Sequence, residues 1–124
     1  MRASPLELTC ACDINSLFEA HGTGTALGDI MEAQGITETF RGSHTVSRPL
    51  IVGAAKATFG HTEGAAGLVG IIKTLASFKY GAVPGLPHLV GGNLNPAIDC
   101  SHIPMFIPER TVSLGKVPAT AMVM

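Results

Sequence analysis

Charge is scarce in this sequence. Of its 124 residues 14% are Asp, Glu, Lys or Arg, the net charge is −1, and the lysines and arginines are scattered singly. No basic stripe exists to follow a phosphate backbone, which argues against a nucleic-acid partner. The longest apolar stretch, Ala65 to Ile72, stops at Lys73. It falls far short of the ~20 residues that a membrane span requires. The opening Met1-Arg2-Ala3-Ser4-Pro5 lacks the apolar run of a signal peptide. Three cysteines form no paired framework and fit a reducing compartment. No His-Glu-x-x-His is present, and the cysteines stand far from His61, so no metal site is expected. The expected location is cytoplasmic.

What is present is apolar and small. Hydrophobic residues make up 46% of the chain and glycine contributes 15 positions. That balance suggests that faces of this chain are covered by more protein. The length suits one domain and can bury a core. An irregular N-terminal segment is expected over 1–13, and the folded domain over 14–124. Ser16-Leu17-Phe18-Glu19-Ala20 reads as a short strand. Asp29 and Glu32 form a capping-box pattern that predicts a helix from Ile30 to about Phe40, with Ile30, Ala33, Ile36 and Phe40 near one face. Leu50 to Ala55 is a continuous apolar run of the kind buried on both faces of a sheet. A helix opening at Thr62 or Gly64 runs to about Tyr80, with Lys73 and Lys79 toward its C-terminal end and Gly81 as its stop. Val83 to Pro96 reads as an extended loop, and Met105-Phe106-Ile107 and Ala119 to Val123 as two late strands with a turn near Gly115. The order predicts a layered α/β fold. The closing apolar run Ala121-Met122-Val123-Met124 suggests that the natural chain continues.

Two motifs carry chemistry. In Glu19-Ala20-His21-Gly22-Thr23-Gly24-Thr25, threonine hydroxyls at alternate positions could bond the amides of an extended ligand arm, and glycines would allow close approach. A tight turn needing positive φ would use the same glycines. Gly22-x-Gly24-x-x-x-Gly28 also loosely matches a dinucleotide-binding loop, but the next strand is followed by Lys56 where an acidic residue should hold the ribose. The second motif is Lys56-Ala57-Thr58-Phe59-Gly60-His61-Thr62-Glu63-Gly64-Ala65-Ala66-Gly67. Lys56, His61 and Glu63 are close enough in sequence to tune and orient one another, although a solvated loop would look similar. Cys10 and Cys12 precede the first strand beside Asp13, which disfavours a thiolate. Cys100 lies in a late loop, and His44, His88 and His102 lack supporting neighbours.

The two motifs, with Leu27-Gly28-Asp29, Glu32-Ala33 and Asn95-Pro96, resemble the C-terminal part of a β-ketoacyl synthase. The wording Gly60-His61-Thr62-Glu63-Gly64-Ala65-Ala66-Gly67 is most similar to the ketosynthases of multidomain polyketide synthases. The resemblance implies a thiolase-like layered fold, of which this chain would be most of the C-terminal half, without the final glycine-rich strand. It implies that His21 and His61 are catalytic histidines, that Lys56 supports the second, and that Thr23 and Thr25 bind pantetheine, with Glu63, Gly22 and Gly24 in support. The reaction would be decarboxylative Claisen condensation of acyl and malonyl thioesters in polyketide or fatty-acid synthesis. No cofactor would be bound directly, the substrate arriving on the phosphopantetheine arm of an acyl carrier protein. Partners would be the N-terminal half with the cysteine nucleophile and a second copy in a homodimer. The Ala-Cys-Ser-Ser surroundings of that nucleophile are absent here, so the chain alone is expected to be inactive. The alternative is a non-catalytic remnant that still binds pantetheine or a carrier protein. Ile30 stands where the family often has proline, and Ala57-Thr58 where it usually has Ser-Asn.

Overall fold

The computed structural model describes residues 16–45, 49–92, 94–98, 105–114 and 120–124. The expectations for segment 1–13, Cys10, Cys12, Cys100, His102 and the Gly115 turn lie outside the described residues. Four parallel strands form the main sheet: β1 (Ser16–Glu19), β2 (Leu50–Gly53), β4 (Met105–Phe106) and β6 (Thr120–Val123), in the order β4-β2-β1-β6. A smaller antiparallel ribbon pairs β3 (Ala82–Val83) with β5 (Val112–Ser113). Among the described residues three α-helices follow the early strands: α1 (Gly28–Phe40), the single turn α2 (Lys56–Phe59) and α3 (Ala66–Tyr80).

Alternation along the strands sorts the core into two layers. Phe18 and Ala20 face one side of the sheet with Leu50 and Val52, where they meet Ile36 of α1; Phe40, Met105 and Ile107 pack around them. Leu17 and Ile51 face the other side and are covered by Val83 and Leu114 of the β3–β5 region, with Phe106, Val112 and Ala121. α3 lies on this second side against β1, β3 and β6. Its approach is close because Gly70 carries no side chain: a Cβ there would come 3.0 Å from Val123 Cγ1.

Several boundaries differ from the sequence expectation, each for a local reason. α1 starts at Gly28, so Asp29 is inside the helix and no capping box forms with Glu32. The Thr25 hydroxyl instead accepts the Gly28 N–H at 3.2 Å, and the Asp29 carboxylate turns back to accept the Gly24 N–H at 3.1 Å. β2 ends at Gly53, and Ala54 and Ala55 turn directly into α2. The stretch from Lys56 is therefore a helical turn rather than an open loop; Gly60, at φ 73°, closes it by donating its N–H to Lys56 O. A 3₁₀ turn over Glu63–Ala65 then leads into α3. The stretch expected as a loop from Val83 contains part of β3 and a 3₁₀ turn at Pro87–Leu89. Gly81 ends α3 in the left-handed conformation, as expected. Lys73, expected toward the C-terminal end of this helix, lies at its middle instead, with its part-buried ammonium against Glu19. His44 is also supported, its ring edge-on to Phe40 at 5.5 Å between centroids.

Candidate functional site

β1 and β2 are adjacent and parallel, so the loops that leave their C-terminal ends emerge side by side. The first carries His21 and the second His61. Forty positions apart in sequence, the two imidazoles lie 5.9 Å apart between ring centroids, with their planes at 87°. Both residues are exposed on the same end of the sheet.

Each ring is set by its own device. The peptide groups of the His21 turn are held by Glu32 on α1: Oε1 accepts the His21 N–H at 2.6 Å and Oε2 the Gly22 N–H at 2.8 Å. Gly22 is in the left-handed region at φ 47°, and a Cβ there would press to 2.9 Å from the Ala54 Cβ. Only glycine lets this turn sit so close to the end of β2.

His61 is oriented by the backbone of the following turn. Its Nδ1 accepts the Glu63 N–H at 3.0 Å. With Nδ1 occupied as an acceptor, the proton of an uncharged ring resides on Nε2, which is left as a donor. Glu63 adopts φ 47°, a positive value that a non-glycine residue rarely takes. The carboxylate support expected of Glu63 is thus supplied by its amide. Lys56 is half-buried at the first position of α2, and among the described residues its ammonium has no hydrogen-bond or ion-pair partner.

The Thr23 and Thr25 hydroxyls lie 3.5 Å apart beside the start of α1, and Asn95 Nδ2 reaches Ala26 O at 3.4 Å from the late loop. Thr25 Oγ1 also accepts the Gly28 N–H. Among the described residues no three His, Cys, Asp or Glu side chains gather to hold a metal ion, and no helix is long and apolar enough to cross a membrane.

The model of the β-ketoacyl synthase C-terminal domain matches residues 9–90, more than half of the chain and both histidine motifs. The chain belongs to the β-ketoacyl synthase family. It is 54% identical over 99 residues to hispidin synthase of Neonothopanus nambi, covering 79% of this chain and 6% of that protein. To the polyketide synthase PksM of Bacillus subtilis it is 42% identical over 95 residues, covering 77% of this chain and 2% of that protein. Among solved structures, the oxazolomycin ketosynthase domain OzmH KS7 of Streptomyces albus JA3453 superposes with a TM-score of 0.76 and 33% identity, over 91% of this chain and 20% of that domain. The relatives are ketosynthase domains of polyketide synthases, and the fold is the thiolase-like α/β fold of those domains. The chain spans a small part of each of them.

Two acidic residues at or behind this site were not legible in the sequence. Glu32 lies four positions before Ile36 and next to Ala33, so a carboxylate intrudes on the apolar stripe of α1. Glu19 closes a strand whose neighbours Leu17, Phe18 and Ala20 are all buried. A charge where the pattern demands an apolar side chain was the available signal in both cases.

Proposed function

We propose that this chain supplies the two-histidine part of a ketosynthase active site that carries out decarboxylative Claisen condensation in polyketide synthesis. The observation that carries the reading is the convergence of His21 and His61, with the His61 Nε2–H left free by the Nδ1 bond to Glu63. In this reading a malonyl thioester loses carbon dioxide, and the electrons of the broken C–C bond become an enolate. N–H donors from His21 and His61 stabilise the charge on the thioester oxygen. The enolate carbon attacks an acyl thioester on a cysteine, a new C–C bond forms, and the thiolate leaves. Lys56, whose ammonium has no partner among the described residues, would act near His61. Thr23 and Thr25, at the mouth of the same loop, would hold the amides of the phosphopantetheine arm presented by an acyl carrier protein.

The nucleophile would come from an N-terminal ketosynthase half that carries the cysteine. None of Cys10, Cys12 and Cys100 has the Ala-Cys-Ser-Ser surroundings of the family's nucleophile. A further observation supports a protein partner: Leu68, Ile71, Ile72 and Leu75 recur at helical spacing along α3 and are all about half exposed. A homodimer and a cytoplasmic location belong to the same reading.

The test mixes the 124-residue chain with a nucleophile-bearing ketosynthase half and follows release of carbon dioxide and β-ketoacyl product from carrier-bound malonyl and acyl thioesters. Product is expected only from the mixture, and loss of it with H21A or H61A. Product from the chain alone would overturn the need for a second half. Binding of a pantetheine arm without product, abolished by T23V/T25V, would favour a non-catalytic remnant.

A further inference from the structure

Glu19 is a charged residue to which the condensation reading gives no task. It is 1% exposed, at the last position of β1 in the interior of the main sheet. Its Oε2 pairs with Lys73 Nζ at 2.6 Å, and its Oε1 accepts the Ala55 N–H. Phe18 faces α1, so alternation delivers the next side chain to the α3 side. Two glycines make room for it: a Cβ on Gly53 would stand 2.6 Å from Lys73 Nζ and 3.0 Å from Glu19 Oε2, and one on Gly70 would stand 3.2 Å from Glu19 Cγ.

A buried ion pair is a poor device for stability alone, because desolvation offsets the attraction and an apolar pair of similar volume often serves as well. Its placement points to another use. His21 leaves the sheet two residues after Glu19. Ala55, held by Oε1, immediately precedes Lys56 and α2, and α2 ends at the glycine that precedes His61. Lys73 belongs to α3, which the His61 loop enters. One carboxylate therefore ties together the roots of both histidine loops. We infer that Glu19, neutralised by Lys73, is a positioning residue that sets the placement of His21 relative to His61. The consequence for turnover rests on the proposed condensation; the consequence for the imidazoles does not.

The experiment compares the 124-residue chain with E19Q, K73M and E19Q/K73M by thermal melting and by NMR of the two imidazoles. Each single variant leaves one buried group without its charged partner and is expected to lower Tm; the double variant, which removes both charges, is expected to recover most of it. A merely structural pair would recover the imidazoles together with Tm. Positioning predicts that they do not recover: the His21–His61 ring contact weakens and the His61 Nδ1 acceptor signature is lost in the double variant too. Wild-type imidazole signatures in the folded double variant would overturn the inference. If the charge variants fail to fold, Gly53→Ala crowds the flexible Lys73 head away from the carboxylate while deleting neither charge; altered imidazole signals support the inference and unaltered ones overturn it. With a nucleophile-bearing half present, E19Q/K73M should lower kcat on the order of 10²-fold, the scale of a small misplacement of reacting groups, with KM little changed. A wild-type mixture that makes no product, while the imidazoles still respond to E19Q, would count against the condensation reading and leave the positioning role standing.

Discussion

Glu32 grips His21 by its backbone, not by its ring. The two carboxylate oxygens accept the N–H groups of His21 and Gly22, a fork across one turn that fixes the peptide planes from which the imidazole projects. Because the acceptors are two, glutamine is not an equivalent replacement: its amide nitrogen would face an N–H donor. E32Q is expected to lose one of the two bonds and about 0.5–1.5 kcal/mol, the net worth of a hydrogen bond whose donor can still reach water. The His21 and Gly22 amide resonances should move together. An unchanged melting curve with unchanged amide shifts would contradict this arrangement.

The His61 orientation depends on an N–H and not on a carboxylate. Glu63→Ala should therefore keep the imidazole tautomer, because the backbone donor survives. Glu63→Pro should lose it, since proline has no N–H and cannot reach φ 47°. Nitrogen chemical shifts of the His61 ring distinguish the outcomes. Loss of the Nδ1 acceptor state in Glu63→Ala would show that the side chain contributes after all.

The strands of the main sheet and the long helices were legible because periodicity reports burial, whereas the two-residue strands β3 and β5 are too short to show a period. Leu17 to Ala20 and Leu50 to Val52 are the interior of a parallel sheet, and both glycine-rich motifs do sit at the ends of those strands. What could not be read were contacts between distant carboxylates and backbone amides. Asp29 and Glu32 satisfied the local grammar of a capping box, yet Thr25 marks the start of the helix and both acidic side chains turn to the His21 loop. Tertiary partners outweighed a local preference worth about 1 kcal/mol. Lys73 misled similarly: expected toward the helix C-terminus, where the dipole favours cations, it lies at mid-helix, and the buried carboxylate of Glu19 at the facing strand end draws its ammonium inward.

The apolar stripe of α3 makes a prediction about solubility. Leu68→Gln with Leu75→Lys places polar groups where the side chains already face outward, so the fold should change by no more than about 0.5 kcal/mol, as at other surface positions. Self-association measured by light scattering should fall. If the stripe is the seat of a second ketosynthase half, the same variant should fail to restore product in the mixing experiment. A variant that melts normally and still complements fully would remove α3 from the interface.

Thr23 and Thr25 should separate by stability even though they stand in one loop. Thr25 Oγ1 accepts the first N–H of α1, so Thr25→Val should cost about 0.5–2 kcal/mol, the usual range for losing a side-chain acceptor at a helix start. Among the described residues the hydroxyl of Thr23 meets only that of Thr25, at the outer limit of hydrogen-bond distance, so Thr23→Val should leave Tm nearly unchanged. Both variants should weaken capture of a pantetheine arm, read as a rise in KM for the carrier-bound substrate with kcat less affected. Thr23 is the more informative of the two, because a binding defect there cannot be ascribed to a loosened helix. Unchanged KM in Thr23→Val would place the arm elsewhere on the loop.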